Sequence, residues 1–127
     1  MEDERAEIAD FFSDRPWTDI SLHELRSHPA ALTSFSLRAF RYFLPAYMSA
    51  IAREFYASDF LAPDLIRSLS PTPAFRDRGV RRKQVLTTAE VDVVRQFLVY
   101  LKASYADDLP LGSIEQAIHD YSVHLNG

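Results

Sequence analysis

Four histidines, two adjacent aspartates, a run of arginines and a scatter of serines are the side chains that could carry chemistry in this 127-residue sequence. A helical metal site needs two histidines on one face, as in H-E-x-x-H. His23 and His28 are five residues apart, and so are His119 and His124. Five residues turn a helix by about 500°, which takes such a pair off a common face. These histidines read as surface or partly buried residues. Asp107 and Asp108 are neighbouring carboxylates of the kind that acid–base catalysis uses, but they sit beside Pro110, where a solvated turn accounts for them. Serine catalysis needs a histidine base and an orienting acid. Ser21, Ser36 and Ser113 are better explained as helix caps, and no G-x-S-x-G elbow occurs. Gly79, Gly112 and Gly127 are too far apart to cradle a phosphate. The chain has no cysteine, which removes a thiolate nucleophile, a thiolate metal site and a disulfide framework together. The motifs therefore imply no catalytic residue, no metal and no cofactor.

Charge is the more informative feature. The net charge of −4 is unevenly spread: residues 1–35 balance to −5, 36–63 to +1, 64–87 to +4 and 88–127 to −4. Phosphate neutralisation dominates nucleic-acid affinity, so an acidic chain makes nucleic acid an improbable partner. It suits a protein partner with a basic surface. The candidate contact residues are Glu4, Glu7, Asp10, Asp14 and Asp19 in the acidic opening, Trp17 among them, and Arg78, Arg81 and Arg82 in the basic stretch from Arg76 to Lys83. Arginine forks there would suit a phosphate or an acidic protein. A solvated segment balancing the acidic helices explains them equally well.

The elements that must position these residues are helical. Acids crowd the opening turns of a helix expected over Glu2 to Phe12, where the helix dipole favours them. Ser21-Leu22-His23-Glu24 is a capping box, and Ile20, Leu22 and Leu25 would point inward behind it. Ser36 or Ser34 would cap a long aromatic helix over about 37–55, in which Leu37, Phe40, Leu44, Tyr47, Ile51 and Phe55 recur at helical spacing. Pro45 lies inside it and predicts a kink or break. Pro63 would open a further short helix that ends near Ser70. Residues 71–86, rich in proline and arginine, show no period and read as a basic loop. A second capping box, Thr87 to Glu90, opens a helix over 88–105 striped by Val91, Val94, Leu98, Leu101 and Tyr105. Asp107 to Gly112 would form a turn, and Ser113-Ile114-Glu115-Gln116 a third capping box before the last helix. The fold class expected is all-α: one compact domain, 1–127, of five or six helices around the 37–55 and 88–105 segments.

Composition agrees with such a domain, with 47% hydrophobic and 25% charged residues. The acidic start lacks the basic and apolar regions of a signal peptide, and nothing approaches the ~20 apolar residues of a membrane span. A cytoplasmic location is expected. Aromatics make up 13% of the chain, more than a small core must hide. Some of Trp17, Tyr42, Tyr56 and Tyr105 are therefore expected at the surface, where aromatics mark partner contacts.

The stretch Ala39-Phe40-Arg41-Tyr42-Phe43-Leu44-Pro45-Ala46-Tyr47 is distinctive. With Trp17, Leu22, Leu25, Ala31-Leu32 and the late Phe97-Leu98 and Tyr100-Leu101 pairs, it resembles a family of short bacterial proteins classed as a domain of unknown function. The resemblance spans about Phe11 to Leu101 and implies a bacterial source and no assigned activity. It transfers no catalytic residue. From the residues themselves, the function expected is a non-catalytic protein-binding module, most concretely an immunity protein that neutralises a toxin by covering it. The alternatives are a structural or accessory homodimer, and an enzyme with an unrecognised site.

Overall fold

The computed structural model describes residues 16–28, 31–58, 60–69, 76–109 and 111–123; the side chains of 33, 34, 76–80, 111 and 123 fall outside that description. The helix expected over Glu2 to Phe12 lies outside the described residues. Among those described, every regular element is helical and no strand occurs. The fold is all-α. The chain divides into two units, residues 1–61 and 62–127.

In the first unit, a 3₁₀ turn at Trp17–Asp19 leads to α1 (Leu22–Arg26), α2 (Ala31–Ser34), α3 (Leu37–Arg53) and α4 (Phe55–Ser58). Ser21 caps α1 in a complete capping box: its Oγ accepts from Glu24 N at 3.2 Å, and Glu24 Oε1 accepts from Ser21 N at 3.0 Å. Ser36, rather than Ser34, caps α3 by accepting from Ala39 N at 3.1 Å. The helix continues unbroken through Pro45. Proline withholds one N–H from the ladder, but the buried side chains around it, Phe43, Leu44, Ala46 and Tyr47, hold both halves to the core. Of the predicted stripe, Phe40, Leu44, Tyr47, Ile51 and Phe55 are buried, and Leu37 is exposed. Glu54 leaves helical geometry at φ −138° and ψ 57°, so the helix ends at Arg53 and α4 resumes from Phe55. The 3₁₀ turn, α1 and α4 all contact α3.

The second unit holds most of α5 (Leu61–Leu69), then α6 (Arg76–Val85), α7 (Thr88–Tyr105), a 3₁₀ turn at Ala106–Asp108, and α8 (Leu111–Val123). Pro63 lies in the first turn of α5, as expected. Thr87 and Glu90 form the second capping box, at 3.1 and 2.8 Å, and α7 has the expected bounds. Its stripe of Val91, Val94, Leu98 and Leu101 is buried, together with Phe97, and α8 packs against it with Ile114, Ala117 and Tyr121.

Two expectations are corrected here. Residues 76–85, read as part of a basic loop, are helical; residues 71–75 lie outside the description. An apolar stripe is the usual sign of a packed helix, and α6 lacks one because hydrogen bonds from its basic side chains hold it, as shown below. The third capping box does not form. The helix begins at Leu111, directly after Pro110 in the sequence, and so Ser113 and Gly112 lie inside it rather than before it. Proline favours a helix start because it needs no donor there.

Candidate functional site

Of the candidate contact residues, Glu4, Glu7, Asp10 and Asp14 lie outside the described residues. Trp17 is half-buried and Asp19 exposed in the 3₁₀ turn beside α3. Arg78 lies on α6, with its side chain outside the description, and Arg81 is exposed. Arg82 is not a surface contact. It is only 3% exposed, and its Nη1 donates to the Ser68 carbonyl at 3.1 Å.

Its neighbour Lys83 makes the equivalent bond in another direction, Nζ donating to the Asp120 carbonyl at 2.6 Å. Ser68 lies in the last turn of α5 and Asp120 in the last turn of α8, where carbonyls have no helical N–H ahead of them. Two consecutive basic residues thus cap two different helices, and both caps place positive charge at the negative end of a helix dipole. The Lys83 ammonium also sits 5.9 Å from the Tyr121 ring centre, within cation–π range. Partial burial lowers the Lys83 pKa, opposed by the Asp120 carboxylate.

Two polar atoms beside this cluster are buried without a hydrogen-bond partner: Tyr121 Oη and Asp120 Oδ2. Asp120 Oδ1 accepts from Gln116 Nε2 at 3.0 Å. Burial pushes the Tyr121 hydroxyl well above its ordinary pKa; Arg82 pulls it down and Asp120 adds to the rise. This chemistry ties three helices together. The sequence reading missed it because capping of this kind joins residues 14 and 37 positions apart. The one local signal was the high helix propensity of Arg, Lys and Gln in Arg81-Arg82-Lys83-Gln84.

The other distinctive feature is the outer face of α7. Val93, Gln96, Val99, Tyr100, Ala103 and Ser104 of this helix are exposed. Val93 is 54% exposed and Tyr100 44%. The four charged residues of α7 each have a partner, although the side chains of Asp92 and Lys102 are 38% and 43% exposed. Glu90 closes the capping box. Asp92 accepts from Arg95 at 2.7 Å and from Gln96 at 2.6 Å, bonds that hold its carboxyl below the ordinary carboxylate range. Lys102 pairs with Glu115 at 3.1 Å.

In the first unit, Tyr42 and Tyr56 are exposed at 47% and 74%, edge-on to Phe43 and Phe55, while Trp17 is half-buried; in the second unit Tyr105 is half-buried. The exposed charged residues Arg41, Arg53 and Glu54 interrupt that surface. Among the described residues, no group of three or more His, Asp or Glu side chains could hold a metal ion, and no helix is long and apolar enough to cross a membrane.

A family model of unknown function matches residues 1–122. The chain belongs to family DUF6714. The match extends over α1 to α7 and nearly all of α8, so both the α6 caps and the α7 face lie within the DUF6714 region. The Ala39 to Tyr47 stretch lies wholly within α3 of this DUF6714 chain, with Phe40, Phe43, Leu44 and Tyr47 buried as core. No curated protein and no solved structure matches the chain.

Proposed function

We propose that this protein works by binding another protein surface, without catalysis, and that the outer face of α7 is its contact. The observation that carries this reading is the apolar group on the outside of α7, where Val93, Val99 and Tyr100 are 54%, 43% and 44% exposed and the neighbouring charges are already paired. Leaving such a face bare has a cost in water that burial against a partner removes. Because no charge on the face awaits a counter-charge, the surface that fits it is uncharged and apolar. The test is capture of partners from cells that make the chain, using the natural sequence beside Val93→Glu and Tyr100→Glu. A partner held by the natural chain and lost by both variants supports the reading. An identical set of partners on all three would sink it.

In its most concrete form the module is an immunity protein that neutralises a toxin directly, in the cytoplasm of a bacterium. The balance of −5 over residues 1–35 supports this form, because an acidic segment speeds encounter with a basic protein. Glu4, Glu7, Asp10, Asp14 and Asp19 would make that contact, with Trp17 as an aromatic anchor. Reversing these five acidic charges should slow association with the partner; an unchanged rate would remove the acidic segment from the interface.

A further inference from the structure

We propose that α6 is a releasable strap: it undocks and melts as one local unit while α5, α7 and α8 stay folded, and Arg82 and Lys83 are the latch that keeps it closed. The chain is pinned on either side of it. Leu69, which ends α5, and Leu86, just ahead of the capping box of α7, are both buried. Between them α6 has no comparable apolar anchor among its described side chains. Arg81 and Gln84 are exposed, Lys83 and Val85 are half-buried, and the buried one is Arg82. Regions with few buried apolar contacts open at a lower free energy than the whole molecule.

Nor can α6 stand alone. Its ten residues fall short of the roughly 12–15 that an isolated helix needs in water. Gly79 lies in its interior, where glycine weakens a helix. Five bases and one acid give it a balance of +4, and Arg78 is three and four residues from Arg81 and Arg82, the spacing at which like charges repel. Its docking therefore rests on the latch, Arg82 to the Ser68 carbonyl at 3.1 Å and Lys83 to the Asp120 carbonyl at 2.6 Å. The closed form also carries a cost. Tyr121 Oη and Asp120 Oδ2 are buried beside the latch without hydrogen-bond partners, and release admits water to them. The neighbouring helices do not need the latch, since α7 and α8 lie directly against each other with Leu98, Leu101, Ile114 and Ala117 buried. Release thus bares the carbonyl ends of α5 and α8 and frees a strongly basic segment from an otherwise folded unit.

Native-state hydrogen exchange of the full chain in low urea, read residue by residue, tests this. The amides of Arg82 to Val85 should exchange about a hundredfold or more faster than those of Leu98 and Leu101, with little dependence on urea, because local opening exposes little surface. In the double variant Arg82→Met with Lys83→Met, the α6 amides should lose their protection while Leu98 and Leu101 stay protected by about a thousandfold or more. Arg81→Met, at an exposed position and of similar helix propensity, should change neither. One shared rate and urea dependence for α6 and α7 in the natural chain overturns the proposal. So does an α6 that stays protected in the double variant, which would mean that something other than the latch holds it. A double variant that unfolds altogether overturns it too, because a strap that opens locally limits the loss to the cost of its own opening.

Discussion

Arg82 keeps its charge at 3% exposure, which a protein tolerates only where the guanidinium is hydrogen-bonded. Its bond to Ser68 therefore makes it a structural residue, although it stands between two other basic residues, Arg81 and Lys83, in sequence. Replacing it with methionine keeps most of the volume and loses the bond, and should lower the unfolding free energy by about 2 kcal/mol in urea titration. The same change at exposed Arg81 should stay within about 0.5 kcal/mol. Tyr121 presents the opposite case, a buried hydroxyl with no partner. Tyr121→Phe removes a desolvated group and should leave the protein as stable or about 1 kcal/mol more stable at neutral pH. Its pH dependence has a definite sign. Below the ordinary pKa of 10.0 the phenol is protonated in both folded and unfolded chains, so its contribution is complete. Above that value the unfolded chain releases the proton and the folded chain does not, and stability falls. The advantage of Tyr121→Phe should therefore widen as pH rises above 10.0, by up to about 1.4 kcal/mol per pH unit. Urea midpoints of both chains across the alkaline range check this, and a constant difference would contradict it.

Helix boundaries follow local chemistry where that chemistry is unambiguous. Thr87 and Glu90 close a capping box on α7, so Thr87→Ala should cost about 1 kcal/mol by urea unfolding. Ser113 has the same kind of pattern, with Gln116 three residues on, yet it lies inside α8. A capping motif marks a place where a helix is able to start, and a helix that has already started needs no cap. Gly112 likewise lies in α8, and a Cβ added there would meet nothing within 4 Å. Gly112→Ala should stabilise the chain by about 0.5 kcal/mol, by restricting the unfolded state and improving helix propensity. Had Gly112 formed the turn that its sequence neighbourhood suggests, the same change would be destabilising, so the sign of the measured effect discriminates the two. For α6 the sequence offered no apolar stripe, because its anchors are Arg82 and Lys83 reaching to the ends of other helices. Periodicity detects helices held by the hydrophobic effect and misses one held by polar side chains.

At the scale of the molecule, charge and exposed apolar residues belong to different parts of the sequence. The opening 35 residues balance to −5, while the exposed Val93, Val99 and Tyr100 of α7 are uncharged. Contacts through the two should therefore answer differently to salt. Association of a basic partner with the acidic segment should slow steeply as ionic strength rises, whereas an apolar contact through Val93 and Tyr100 should change little. Stopped-flow association rates and sedimentation at low and moderate salt separate the two contacts.

The sequence by itself determined the helical class, the bounds of α7, two capping boxes and most of the buried stripes of α3 and α7. All of these depend on interactions within a turn or two of the chain, which residue type and spacing encode directly. Only the tertiary structure decided that α6 is a helix, that Arg82 is interior, and that Val93 and Tyr100 face outward on a helix whose charges are paired. Those outcomes depend on which carbonyl or side chain lies opposite, and residues far apart in sequence supply it: Ser68 for Arg82, Asp120 for Lys83, Glu115 for Lys102. Val93 and Tyr100 flank the apolar stripe of α7 and are of the same residue types. One side of α7 already fills the core with Val91, Val94, Leu98 and Leu101, so geometry leaves the flanking positions outside.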